Sequence, residues 1–91
     1  MRSSPPPEIL GKTITGIIIK HNIRNHSPYH MIHLVFHDGT SLEINLDNAA
    51  HFGSYLDHGG QAWARQYSQD VMAVDYEAYL DENGQVVERK G

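Results

Sequence analysis

Cysteine is absent from this chain. Disulfide staples, thiolate metal ligands and cysteine nucleophiles are therefore excluded. The absence also suits a reducing compartment, and the expected location is the cytoplasm. Long apolar runs are lacking as well. The longest aliphatic stretch, Ile17-Ile18-Ile19, falls far short of the roughly 20 residues that cross a bilayer, so no membrane role is expected. The opening "MRSSPPPEIL" has one arginine and then prolines, without the apolar segment a signal peptide needs.

Cations are scarce: 7 lysines and arginines face 11 acids, for a net charge of −4. The balance is uneven along the chain. Residues 1–37 hold Arg2, Lys12, Lys20 and Arg24 against Glu8, whereas residues 38–82 hold nine acids against Arg65 alone. Such a segment repels nucleic acid and favours a basic partner. The expected partner is thus another protein, including a basic or nucleic-acid-binding one, with no direct contact to nucleic acid. With 91 residues there is material for one modest core. Residues 1–8 read as a disordered proline-rich tail and residues 9–91 as a single α+β domain.

Residues 12–21, "KTITGIIIKH", are rich in β-branched side chains and read as a first strand, with Gly16 marking a bulge or close backbone approach. Residues 30–37 and 40–46 read as a hairpin. A two-residue loop at Asp38-Gly39 would set Leu34 against Glu43. A three-residue loop, His37-Asp38-Gly39, sets Leu34 against Leu42 and Ile32 against Ile44, with Gly39 in the left-handed position. The second register keeps apolar residues together and is preferred. It assigns Ile32, Leu34, Phe36, Leu42 and Ile44 to the core. Met31, His33, Val35, Ser41, Glu43 and Asn45 then fall on the outer face, with His33 opposite Glu43.

Residues 48–58 read as a helix capped by Asp47, with Ala49, Phe52 and Leu56 on one side and Gly59-Gly60 as its end. Residues 61–68 read as a second short helix with Trp63 and Tyr67 four apart. Residues 71–80 and 85–90 form a second hairpin around Asn83-Gly84. In its first strand Val74, Tyr76, Ala78 and Leu80 alternate with Asp75, Glu77, Tyr79 and Asp81. The expected fold is therefore α+β: about five mostly antiparallel strands, with one or two short helices between the third and fourth.

Histidine is the residue in excess. Seven are present, and five fall within "HNIRNHSPYHMIHLVFH", residues 21–37. On a helix His26, His30, His33 and His37 would form one stripe able to share a metal ion. The β-branched Ile32 and Val35, and the turn that follows, favour a strand instead. There His33 and His37 lie about 13 Å apart at a rise of ~3.3 Å per residue. Zinc–nitrogen bonds are only about 2.0–2.1 Å long, so the pair cannot share one ion. No metal, cofactor or catalytic residue is expected. A carboxylate opposite His33 should favour the charged imidazole, and protonation of all seven histidines would reverse the sign of the net charge.

The expected function is a non-enzymatic protein-binding or accessory module. It would present an acidic sheet face of Asp75, Glu77, Tyr79 and Asp81, joined by His33 and Glu43. Homodimerisation through an edge strand is an equal expectation for the partner. Two alternatives stand beside it: a histidine-dependent metal-binding or pH-responsive protein, and a small enzyme whose histidine and carboxylate meet from distant segments.

Overall fold

The computed structural model describes residues 7–47 and 50–91, and the side chains of residues 50–52 lie outside that description. Most of the proline-rich tail is thus outside it, although Pro7–Ile9 forms a single 3-10 turn with no buried residue. Six strands follow: β1 (Ile14–Asn22), β2 (His30–Phe36), β3 (Ser41–Asp47), β4 (Ala50–Asp57), β5 (Met72–Leu80) and β6 (Val86–Lys90). They form one sheet in the order β4-β3-β2-β1-β5-β6, and every neighbouring pair is antiparallel. One helix, α1 (Gln61–Gln66), lies between β4 and β5 in the chain. No helix among the described residues is long and apolar enough to cross a membrane.

The β2–β3 hairpin has the register that side-chain pattern requires: Ile32 pairs with Ile44, His33 with Glu43 and Leu34 with Leu42. Its loop is His37-Asp38-Gly39, closed by Phe36 N–H donating to the Thr40 carbonyl at 2.8 Å. Gly39 has φ +84°, a conformation open to glycine at little cost. The β5–β6 hairpin repeats the device. Asp81 N–H donates to the Gln85 carbonyl, Gly84 has φ +77°, and Asp81 Oδ1 accepts from the Asn83 and Gln85 amides. Gly16 also meets both expectations. The ladder to β2 slips between Ile14 and Gly16, and a Cβ on Gly16 would collide with the Gln61 side chain.

The segment expected as a helix over 48–58 is instead strand β4 from Ala50, while residues 48 and 49 lie outside the described part. Two physical terms favour the strand. Gly53 costs about 1 kcal/mol in a helix. In addition, β3 would otherwise leave a row of backbone groups unpaired along its outer edge. Pairing Ser41 with Asp57, Leu42 with Leu56 and Glu43 with Tyr55 satisfies that edge. The sheet therefore has six strands rather than five. Helix α1 is shorter than the expected 61–68, because Tyr67 leaves the helix at ψ 127° and Ser68 turns through φ +57°.

The face assignment is reversed. Helix α1 lies on the side bearing Gly16, Ile18 and Lys20 of β1, His33 and Val35 of β2, and Glu77 of β5. Met31, His33, Val35, Ser41, Glu43 and Asn45, all expected outside, are buried. The apolar centre there is small: Ile18, Val35 and Ala64, with Val74 beside them. On the opposite side Ile17, Ile19, Ile32, Leu34, Ile44, Tyr76 and Ala78 remain only half-buried. Phe36, beneath the Lys12 ammonium, Leu42, and Ser54 opposite Ile44 are buried on that side.

Candidate functional site

Two arrangements concentrate chemistry: a polar interior beneath α1 and an apolar face on the other side of the sheet. The interior begins with Lys20, fully buried on a central strand. Its ammonium donates to the carbonyls of Ala64 at 2.6 Å and Tyr67 at 2.7 Å, capping the helix end where a cation complements the dipole. Burial lowers its pKa to about 8, with the negative charge of Glu43 pulling the other way. On the neighbouring strand Glu77 is 2% exposed and clamped from α1. Arg65 Nε donates to both carboxylate oxygens at 2.9 and 2.8 Å, and Gln61 Nε2 adds a bond of 2.9 Å. These bonds hold Glu77 below the usual carboxylate range despite its burial.

Toward β3 and β4 the interior is less settled. Glu43 accepts from Asn45 Nδ2 at 2.9 Å and is hydrogen-bonded to Asp57 across the β3–β4 pair. Burial, and then the neighbouring Asp57, push Glu43 up to about 7, against the Asn45 bond and the charge of Lys20. The Tyr67 hydroxyl is raised by its own burial and by the same two carboxyl groups. His33 sits edge-on between the rings of Trp63, at 6.3 Å, and Tyr67, at 5.9 Å. Both its ring nitrogens are buried without a hydrogen-bond partner, as are Ser41 Oγ, Asn45 Oδ1 and Asp57 Oδ2. Burial, and then Lys20, lower the His33 pKa to about 3. The cross-strand pairing with Glu43 is therefore real, but it does not favour the imidazolium.

The six residues expected to form an acidic sheet face do not share a surface. Glu77, His33 and Glu43 lie under the helix. Asp75 is exposed and belongs to a different group: its Oδ1 lies 2.7 Å from His21 Nδ1. The slip in the β1–β5 ladder between Ile19 and Lys20 takes Asp75 out of step with Glu77. Tyr79 lies under the Arg65 guanidinium, 6.0 Å from its ring centre, and Asp81 is occupied by its own turn.

The residues that sequence reasoning missed are Lys20, Arg65, Gln61, Asp57 and Tyr67. One signal for Lys20 was available. It follows Gly16 and Ile18 on alternate positions, so any cover over Ile18 also covers the lysine. His21 and Asp75 lie 54 residues apart in sequence and carry no local signal.

The opposite face has an apolar centre and one polar end. Ile17, Ile19, Ile32 and Leu34 meet Tyr76 and Ala78 across the β1–β2 and β1–β5 ladders. At one end His21, His30, Tyr29, Asn22, Asn25 and Asp75 line an open polar cleft. At the other, Ile14, Ile17, Ala78, Leu80 and Val86 line an apolar hollow. Among the described residues no three His, Asp or Glu side chains converge to hold a metal ion. Comparison with family models, curated proteins and solved structures finds no match, so this geometry is what bears on function.

Proposed function

We propose that this protein is a binding module that docks another protein surface through the open apolar face of its sheet. The observation that carries this reading is the inverted burial. The helix covers Lys20, His33, Glu43 and Glu77, while Ile17, Ile19, Ile32, Leu34, Tyr76 and Ala78 on the other side are only partly buried. A contiguous apolar patch bordered by polar groups is the usual anatomy of a protein interface, and here the polar border lies at the His21–Asp75 end. Glu43 and Glu77 lie beneath the helix rather than on the docking surface, and Asp75 stands at its polar end.

The lack of native cysteine makes the reading testable by single-thiol labelling. Ala78→Cys places a thiol on the open face, and Ala64→Cys places one beneath the helix. In dilute solution the first should react with a maleimide at nearly the rate of a free thiol and the second far more slowly. Equal, slow labelling at every dilution would show that the chain covers its own face, and the reading would fail.

A second reading attaches to the polar cleft, because a histidine and a carboxylate from distant segments do meet there. With Nδ1 of His21 donating to Asp75, Nε2 becomes the acceptor in a cleft shared with His30 and Tyr29. That arrangement can orient a ligand and exchange a proton with it. A fragment screen read by amide and imidazole chemical shifts tests this. Shifts confined to His21, Asn25 and His30 support it, and a silent cleft rejects it.

A further inference from the structure

We infer that the polar cleft binds a divalent transition-metal ion through the imidazoles of His21 and His30. This rests on the cleft being a ligand site, the second reading above. Three observations carry it.

The first is the pairing of the two histidines. His21 and His30 stand directly opposite each other on β1 and β2. In the next pair along, the Asn22 N–H donates to the Tyr29 carbonyl at 2.9 Å. Hydrogen-bonded and non-hydrogen-bonded pairs alternate along an antiparallel ladder, so His21 and His30 form a non-hydrogen-bonded pair. Side chains approach most closely in pairs of that kind. Both histidines line the cleft, and two imidazoles so placed can share an ion at the usual nitrogen–metal distance of about 2.0–2.1 Å. The stripe that a helix would have made omits His21, so the strand pairing creates a different site.

The second is the carboxylate behind His21. Between Ile19 and Lys20 the partner on β5 jumps from Tyr76 to Val74, which leaves Asp75 as the extra residue of a bulge. Bulges re-aim side chains. Here Asp75 Oδ1 comes to 2.7 Å from His21 Nδ1. A metal-binding histidine typically gives its second ring N–H to a carboxylate, which fixes the tautomer and leaves the other nitrogen's lone pair for the ion. Asp75 is therefore a positioning residue and not a ligand. That agrees with the lack, among the described residues, of any cluster of three metal-binding side chains. Solvent supplies the remaining ligands in so open a cleft.

The third is the charge of the lining. His21, Asn22, Asn25, Tyr29, His30 and Asp75 include no lysine or arginine. An anion finds no fixed counter-charge there, whereas a cation finds one carboxylate and two nitrogen lone pairs. Asn22 is committed to the turn between the histidines. Its Oδ1 accepts from the Arg24 N–H at 2.8 Å, and its Nδ2 donates to the Pro28 carbonyl at 3.4 Å. Imidazole donors select zinc, copper or nickel over magnesium or calcium.

Titration of the whole chain with Zn²⁺, followed by imidazole nitrogen and amide chemical shifts, tests the inference. One ion per chain should bind, with the first shifts at His21 and His30, and Mg²⁺ at the same concentration should produce none. Asp75→Asn should weaken zinc binding about tenfold and move metal-free His21 toward its other tautomer. His21→Ala and His30→Ala should each weaken it further, whereas His37→Gln, in the β2–β3 loop, should leave it unchanged. Amide spectra of the metal-free variants report whether each keeps the fold. Zinc shifts spread over all the accessible histidines would mark adventitious binding and overturn the inference, as would an affinity that survives the loss of His21 or His30. A titration silent at the cleft overturns it too. In that case, fragments that shift His21, Asn25 and His30 leave the second reading standing, and a cleft silent to both probes removes that reading as well.

Discussion

Lys20 Nζ lies 2.6 Å from the carbonyl oxygen of Ala64, so a lysine on the sheet closes the end of the helix that crosses it. The helix has only six residues and no side-chain cap at its start. A helix so short does not hold itself together, and its stability comes from tertiary anchors. Lys20 supplies one at the C-terminal end, and the Arg65–Glu77 clamp supplies another along its side.

Lys20→Met tests the first anchor, since it keeps most of the side-chain volume and removes the ammonium. Two charge-assisted bonds are lost and Glu43 loses its nearest compensating cation. The expected loss is about 2–4 kcal/mol in urea unfolding. Lys20→Arg should not restore it, because a planar guanidinium does not fit a site that holds a point charge between two carbonyls. A loss below ~0.5 kcal/mol would show that the helix is held by other means.

Arg65→Met tests the second anchor. Glu77, 2% exposed, would keep only the Gln61 bond. An orphaned buried carboxylate costs about 3 kcal/mol, the lower end of the usual range, because the arginine itself is one-third exposed. The double variant Arg65→Met/Glu77→Met should recover most of that loss, since an apolar pair of similar volume leaves no charge behind. Additive losses in a double-mutant cycle would contradict the clamp.

How much of this was legible in the sequence depends on the range of the forces involved. The β2–β3 register followed from Leu34, Leu42, Ile32 and Ile44 alone, because a one-residue slip would have mixed leucine with glutamate. Gly39 and Gly84 marked their turns for an equally local reason. Strand β4 was not legible as a strand, because the decisive term is the bare edge of β3, which no window around Gly53 contains. The face reversal was hidden for a similar reason. Alternation tells which residues share a face, but not which face the helix covers. Only the meeting of Lys20 with two carbonyls 44 and 47 residues away decides that. His33 and Glu43 were correctly paired and wrongly placed in water, so the sign of the expected histidine shift reversed with them.

Gly59→Ala probes how closely the helix seats. A Cβ at this buried glycine would run into the Trp63 ring, which itself stacks against Tyr67 at 4.9 Å. Overpacking of this kind costs about 1–3 kcal/mol. Trp63 is the only tryptophan of the chain, so its fluorescence reports the displacement directly. An unchanged emission maximum with unchanged stability would contradict the close seating.

The two perturbed groups facing each other across β2 and β3 should give the protein opposing pH limbs. Glu43 is raised from 4.5 to about 7 among Asp57, Tyr67, Asn45 and Lys20, so the fold favours its protonated form. The stability from that form is complete below pH 4.5 and is lost as pH rises through 7. His33 is lowered from 6.5 to about 3, so the fold favours its neutral form. Its contribution is present above pH 6.5 and is lost as pH falls toward 3. Between pH 4.5 and 6.5 the two slopes oppose one another and stability should be nearly flat. Urea midpoints measured from pH 3 to 8 on two variants separate them. Glu43→Gln should remove the fall toward pH 8 and leave a curve that rises and then levels. His33→Phe should remove the acid limb and leave a curve that declines steadily from about pH 4.5. If both variants keep the parent's profile, the pH dependence arises elsewhere and the buried placement of this pair carries no titration.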